Sequence, residues 1–507
     1  MKLDYAGLFH ALQPEAHLVL GALLVLGFDL AWARHRPANR HHVALLLGLL
    51  ALGLAAWKTI SVGAAGPAYG GVLVLDSLAV ATRVGVLALA ALALALLPPP
   101  ARLRHPAEFV AVLLFATTGF TLMAAANQLL LVFLAVELAS LSLYVLAGFD
   151  KTRPASAEAA LKYYLFGGMS AAFLLFGFSL LYGLTGSLQL AVIAGQLDLA
   201  GPSPLLLVAL VMVLVAFGFK AAAAPFHLWA PDVYQGAPAP AAALIASASK
   251  LAGLVVFTRL LWPGLGAAVG TIAHAPVSVG WGPVVALLAG ASLLLGNIGA
   301  LAQTNVRRLL AYSAIAHAGA LLLGVIAAGR VGPAALFYYA ATYGLATVGA
   351  FGVLSVLEEF GPAQKLTDLA GLHRRSPLLA GCLAIFVLSL AGIPPLAGFF
   401  GKFAVFASVL QLNGLGGPLG WLVLAAIALS AVALYYYLLI LKQALVAAPL
   451  PADAQQSVGQ TPGGQQPTTV APATPVKVPL PAALALVIAA ALLVVLGVLP
   501  SLVLGIF

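Results

Sequence analysis

PLLLVALVMVLVAFGFKAAAAPFHLWAPDVY, residues 204–234, decides how the rest of the chain is read. It opens as an apolar run, carries Lys220 near its far end and is interrupted by Pro225. A bilayer-spanning helix needs about 20 apolar residues, and a proline inside one removes a backbone donor and clashes with the preceding turn. Such breaks at membrane depth are tolerated where the chain lines a cavity or is packed in protein. A lysine at the centre of a spanning helix costs about 2.5–3.5 kcal/mol on insertion scales. The stretch therefore reads as a membrane helix broken beside a buried cation; the plainer alternative is a proline kink in a packed helix.

The whole chain supports the membrane reading. Its 507 residues are 63% hydrophobic and only 7% charged, with a mean hydropathy of +1.10, where a soluble domain carries about 25% charge. Counting apolar runs gives an all-α polytopic protein of fourteen helices, beginning near 16, 43, 73, 108, 128, 159, 204, 239, 282, 306, 333, 376, 419 and 480. With the N-terminus outside, fourteen basic residues, Arg307 among them, fall in cytoplasmic loops and four, Arg259 among them, on the external side, so both termini are expected to be external. The net charge of +9 thus sets orientation and points to no nucleic-acid partner. The run near 16–33 contains Asp29 and precedes Arg34, Arg36 and Arg40, the reverse of a signal peptide, and reads as a retained helix.

A second break is predicted at Pro394-Pro395 in SLAGIPPLAGFFGKF, residues 389–403, which ends beside Lys402. The two breaks divide the chain into three helices over 1–107, five-helix units over 108–261 and 282–443, a linker over 448–478 and a last span over 480–507. An odd number of helices per unit makes the second copy enter from the opposite side, giving inverted repeats. LysTyrTyr at 162–164 echoes PheTyrTyr at 337–339. The linker, rich in Pro, Gln, Thr and Gly, reads as flexible.

The chemistry-bearing residues are charges in apolar runs. Glu137, in LLLVFLAVELASLSLYVLAG (129–148), shares a helix face with Ser140 and Tyr144. Lys220 precedes the first break and His227 follows it; Lys250 lies in ALIASASKLAGLVVF (243–257) with Ser247 a turn away; Lys402 follows the second break. Lys162 lies a few residues inside its helix, where a lysine can also snorkel, and His317 shares a face with Ser313. Burial without a counter-charge favours a neutral amine and a nearby carboxylate favours the ammonium, so a Glu137–Lys220 pair would act as a switch. Its proton would pass along Lys250, His317 and Lys402. Asp29 and Arg83 show no evident partner and read as packing or snorkelling groups. The one cysteine, Cys382, builds no disulfide or cluster alone, and neither GxGxxG after a strand nor GxxxxGK[ST] occurs, so no redox cofactor or nucleotide is expected in this chain.

Three stretches, FGFKAAAAPFHLWAPDVYQGAP (217–238), RRLLAYSAIAHAG (307–319) and LSLAGIPPLAGFFGKF (388–403), resemble the antiporter-like subunits of bacterial proton-pumping NADH:quinone oxidoreductase, complex I. The resemblance covers roughly residues 108–443. It is nearest to the subunit N type, because lysine stands at 402 where subunit M has glutamate and no long lateral helix follows. It implies fourteen helices with two inverted five-helix repeats. By position it makes Glu137 and Lys220 the central ion pair, Lys162 an adjacent lysine, Lys250 the central relay and Lys402 the terminal exchange residue. It also implies that NADH, FMN, iron–sulfur clusters and quinone are handled in other subunits, and that the partners are the other membrane subunits of complex I in a bacterial inner membrane. A cation/proton antiporter subunit of the Mrp type and a purely structural membrane subunit remain the competing readings.

Overall fold

The computed structural model describes residues 5–32, 37–99, 102–200, 203–271, 279–361, 363–448 and 475–507. Arg34, Arg36 and nearly all of the 448–478 linker lie outside the described residues. The long helices are α1 (Gln13–Ala31), α2 (Pro37–Val62), α3 (Ser77–Ala95), α4 (Pro106–Ala125), α5 (Leu129–Ala147), α6 (Pro154–Thr185) and α7 (Pro204–Ala221). They continue with α8 (Ala239–Gly264), α9 (Trp281–Leu301), α10 (Val306–Val331), α11 (Ala334–Glu358), α12 (Pro377–Ala391), α13 (Ala397–Asn413), α14 (Pro418–Leu441) and α15 (Leu480–Val498). Among the described residues, thirteen helices are long and apolar enough to cross a membrane, and the fourteenth expected span is the broken pair α12 and α13.

Local chemistry fixes where the helices start. The Ser203 hydroxyl accepts from the Leu206 N–H at 3.2 Å, the Asp76 carboxylate from the Ala79 N–H at 2.8 Å and the Asn305 side chain from the Arg308 N–H at 3.1 Å. Pro204, Pro377 and Pro418 occupy first-turn positions, where the missing donor costs nothing.

The connections alternate between the two ends of the bundle, as the span count requires. At one end the strands β1 (Gly66–Ala68) and β2 (Leu73–Leu75) pair antiparallel, Asn127 N–H donates to Val72 O at 3.0 Å, and Leu129 N–H donates to Leu188 O at 2.9 Å. At the other, Val306 N–H donates to Gln364 O at 2.7 Å and Leu366 N–H to Thr304 O at 3.0 Å.

Helices that are apolar on every face sort by depth, with the polar groups in the centre. Every residue in the apolar stretch of α8 is buried and nearly all of those in α10 and α11, against about a third in α6 and α14. The outer faces present Leu161, Leu165, Met169 and Phe176, among others, as a surface suited to lipid or other membrane helices.

Close backbone approach holds helix pairs together, as expected where packing rather than water drives association. A Cβ on Gly119 would come within 2.6 Å of Ala139 N, so α4 lies directly on α5; a Cβ on Gly296 would collide with the backbone of Ala316, so α9 lies on α10 in the same way. Gly296→Ala is expected to destabilise the protein by about 1–3 kcal/mol through overpacking. Gly53, with open space beside it, supplies the control substitution. Thermal unfolding of the detergent-solubilised protein measures both.

The two breaks are closed by the same hydrogen bonds. After α7, Ala222 N–H bonds Phe219 O and Ala223 N–H bonds Gly218 O at 2.9 and 2.8 Å; after α12, Gly392 N–H bonds Ser389 O and Ile393 N–H bonds Leu388 O at 3.0 and 3.1 Å. Both are Schellman caps with a left-handed residue, Ala222 or Gly392. The Ala224-Pro225 and Pro394-Pro395 peptides that follow are both cis.

Four charges differ from the sequence expectation. Asp29 is held by Arg40 through two bonds of 2.6 Å, and Arg83 pairs with Glu15 at 2.9 Å, so neither is an unpartnered packing group. Arg259, read as an external loop residue, is buried and pairs with Asp76. Arg307, read as a cytoplasmic loop charge, is wholly buried and pairs with Glu358 at 2.6 Å. Each pair ties one helix to another helix or to its cap, which satisfies charges that would otherwise be costly to bury.

Candidate functional site

The first part of the site lies where α5, α6 and α7 meet. Glu137, Ser140 and Tyr144 project from α5 into a cavity of about 10 Å³, room for roughly one water, whose other walls include Ser170 and Lys220. Lys220 is buried, and its ammonium donates to Ser140 Oγ at 3.2 Å. Ser140 in turn donates to Val136 O at 2.7 Å. The expected Glu137–Lys220 ion pair is not formed: the two share one cavity, and Ser140, not the carboxylate, receives the lysine.

From there the groups continue toward α8. The Lys220 stem lies beside Gly253, where a Cβ would stand 3.1 Å from Lys220 Cγ, one turn from Lys250. Lys250 is buried, donates to Ala314 O of α10 at 2.6 Å and stands 5.4 Å over the Tyr343 ring. His317 also neighbours that ring, 4.9 Å away between centroids. A cation over an aromatic face is attracted by the ring quadrupole, so Tyr343 favours the Lys250 ammonium.

His317 is the most fully coordinated member. Its Nδ1 shares a proton with Tyr339 Oη at 2.6 Å and its Nε2 with Tyr437 Oη at 3.1 Å, and Tyr437 also bonds Ser313. Both Lys250 and Lys402 act on it electrostatically. Lys402 donates to Ala391 O at 3.0 Å, at the C-terminal end of α12, where the helix dipole favours a cation. Gly392 lets it approach: a Cβ there would lie 3.2 Å from Lys402 Cδ.

Lys162 and His227 stand apart from this line. Lys162 is partly exposed and bonds Glu158 and Asp232, each at 2.6 Å, while Arg308 holds the other Asp232 oxygen at 2.5 Å. It is thus neutralised in an accessible network, not stranded in apolar surroundings. Lys162→Ala is expected to leave the thermal stability of the detergent-solubilised protein within about 1 kcal/mol of the unsubstituted one, since an exposed pair contributes about 0.2–1 kcal/mol, and a larger loss would show that this network holds the fold. His227, just beyond the first break, is half-buried, and its Nδ1 has no hydrogen-bond partner.

Sequence reasoning missed Tyr343, Tyr339 and Tyr437. Tyr339 and Tyr343 sit four positions apart on one face of α11, the signal that was available. It also missed a cleft of about 1120 Å³ at the loop end assigned to the cytoplasm, lined by Arg102, Arg104, Lys151, Arg153 and Glu359. Burial pushes the Glu359 carboxyl up from its ordinary range, and Arg102 opposes this.

A bundle that keeps lysines and a histidine connected through its apolar centre has the architecture of an ion-translocating membrane protein. Residues 126–432 match the family described as NADH:quinone oxidoreductase/Mrp antiporter, transmembrane. NADH-quinone oxidoreductase subunit N 2 of Acidobacterium capsulatum is 48% identical over 510 residues, covering 98% of each chain. A chain of respiratory complex I from Thermus thermophilus, solved with bound aureothin, superposes with a TM-score of 0.77 at 34% identity over 97% of this chain and 98% of that one. A chain of the Mrp complex from Dietzia sp. DQ12-45-1b superposes at 0.80 with 22% identity, over 99% and 96%, a likeness of fold alone. The chain belongs to the NADH:quinone oxidoreductase/Mrp antiporter family, among its subunit N members.

Proposed function

We infer that this chain is a proton-translocating membrane subunit of a respiratory NADH-quinone oxidoreductase, seated beside other antiporter-like membrane subunits. The observation that carries the reading is a row of polar groups through the apolar bundle. Lys220 bonds Ser140 in the cavity it shares with Glu137, and its stem lies against Gly253 one turn from Lys250. Lys250 and His317 both neighbour the Tyr343 ring, and half-buried Lys402 stands at the second break. Protons in such a line belong to the coupled set. NADH oxidation, with its FMN and iron–sulfur clusters, and quinone reduction are assigned to partner subunits; this chain's part in the enzyme is translocation. We read the membrane as the bacterial inner membrane and both termini as external, on the bias of basic residues. We also read residues 108–261 and 282–443 as inverted copies. The matching caps at 222 and 392, and the equal spacing from Gly119 to Gly296 and from Ala139 to Ala316, support this. The 48% identity to a subunit N favours this function over a Mrp-type antiporter. The test is proton uptake per NADH oxidised in inverted vesicles carrying Glu137→Ala or Lys220→Ala, and unchanged uptake in both refutes it.

A further inference from the structure

Among the described residues, Tyr144 is the one side chain that lines both the small Glu137–Lys220 cavity and the large end cleft. It is buried, and its ring packs edge-on against Tyr163 and Tyr164, with centroids 4.9 and 6.0 Å away. Its hydroxyl rests on Gly167 of α6, where a Cβ would occupy the same space, and the residue lines the small cavity together with Ser140 and Glu137. Val145, the next residue, and Gly148, one turn on at the end of α5, already line the cleft. A single phenol ring, held by two aromatic neighbours and a glycine, therefore stands between a cleft able to hold many waters and a cavity with room for about one.

We propose that the Tyr144 ring is the partition that closes the Glu137–Lys220 cavity toward the end cleft, and that Gly167 is the seat that keeps it closed. This rests on the reading of Glu137 and Lys220 as proton-transfer groups. With the ring seated, water in the cleft stops at the phenol. With the ring swung off Gly167 the two spaces join, and a hydronium ion in the cleft transfers its proton to the Glu137 carboxylate, leaving water and a neutral acid. Tyr144 thereby acts through position: it decides when Glu137 exchanges protons with this end of the protein.

The experiment uses the whole complex in inverted membrane vesicles, with Cys382 replaced by alanine and Ser170→Cys as a reporter on the cavity wall. Labelling by a charged methanethiosulfonate reagent is followed with time, and NADH oxidation is measured in the same vesicles to select assembled complexes. The reporter is expected to react slowly beside Tyr144 and beside Tyr144→Phe, which keeps the ring. It is expected to react at least tenfold faster in Tyr144→Ala and in Gly167→Ala, which unseats the ring without altering it. Rapid labelling with Tyr144 intact, or unchanged rates in both the Tyr144→Ala and Gly167→Ala proteins, overturns the proposal. Proton uptake in Lys220→Ala vesicles separates the two ideas. Normal uptake there with the expected labelling pattern removes the proton-transfer reading and leaves the partition, whereas lost uptake with flat labelling removes the partition alone.

Discussion

Lys220→Ala is expected to reduce NADH-driven proton uptake to a small fraction of that in unsubstituted vesicles, while the complex assembles in normal amount. Both halves follow from the contacts. The lysine connects the Glu137 cavity to the neighbourhood of Lys250, so without it a titratable step is missing from the line. Yet it has no ion-pair partner to orphan. Ser140 keeps its bond to Val136 O, and the loss is one hydrogen bond, about 1 kcal/mol, set against the removal of a buried charge that is itself unfavourable. Native gels give the amount of complex, and a pH-sensitive dye gives the uptake. Loss of assembly would contradict the geometry; normal uptake would remove Lys220 from proton transfer.

Arg307→Ala is expected to do the opposite, with loss of the assembled complex as the primary effect. Arg307 is fully buried, pairs with Glu358 at 2.6 Å and donates to Ala237 O at 2.8 Å and Gln235 O at 3.4 Å, tying α10 to α11 and to the start of α8. Truncation leaves a mostly buried carboxylate and two carbonyls without their cation, a cost of about 3–5 kcal/mol. Arg307→Lys should recover little, because an ammonium cannot reproduce the planar fork that reaches three acceptors. Adding Glu358→Gln to Arg307→Ala should recover part of the assembled complex by removing the stranded charge. A double variant as depleted as the single one would show that the ion pair is not what holds these helices.

Much of this was readable from residues. Runs of about 20 apolar residues gave the spans, and lysines inside them were conspicuous because few other charges compete for notice. What the chain did not disclose was partnership. Arg83 and Glu15 are 68 positions apart, and only packing reveals that they meet. Arg307 and Arg308 look like one basic pair at a helix start, but successive helical residues point about 100° apart, so one faces the core and the other Asp232. Lys162 read equally as buried in its apolar run or snorkelling from the helix start, and the fold selects the second, its side chain reaching a carboxylate cluster near that end. The tyrosines around His317 were camouflaged, since an aromatic residue in an apolar helix is ordinary until its hydroxyl finds a partner.

The central position of α8, α10 and α11 bears on how their charges influence one another. Mobile ions damp the field of an exposed charge within about 10 Å at 0.1 M salt, whereas buried charges are damped far less. Lys250 and His317 are sheathed by outer helices that admit no electrolyte, so they communicate as elements of an insulated conductor, of which half-buried Lys402 is the less sheltered end. Lys162, Asp232 and Arg308, at the accessible rim, are bathed in that electrolyte. The same protein thus holds two electrostatic circuits: raising ionic strength should mute the rim and leave the insulated line at nearly full strength.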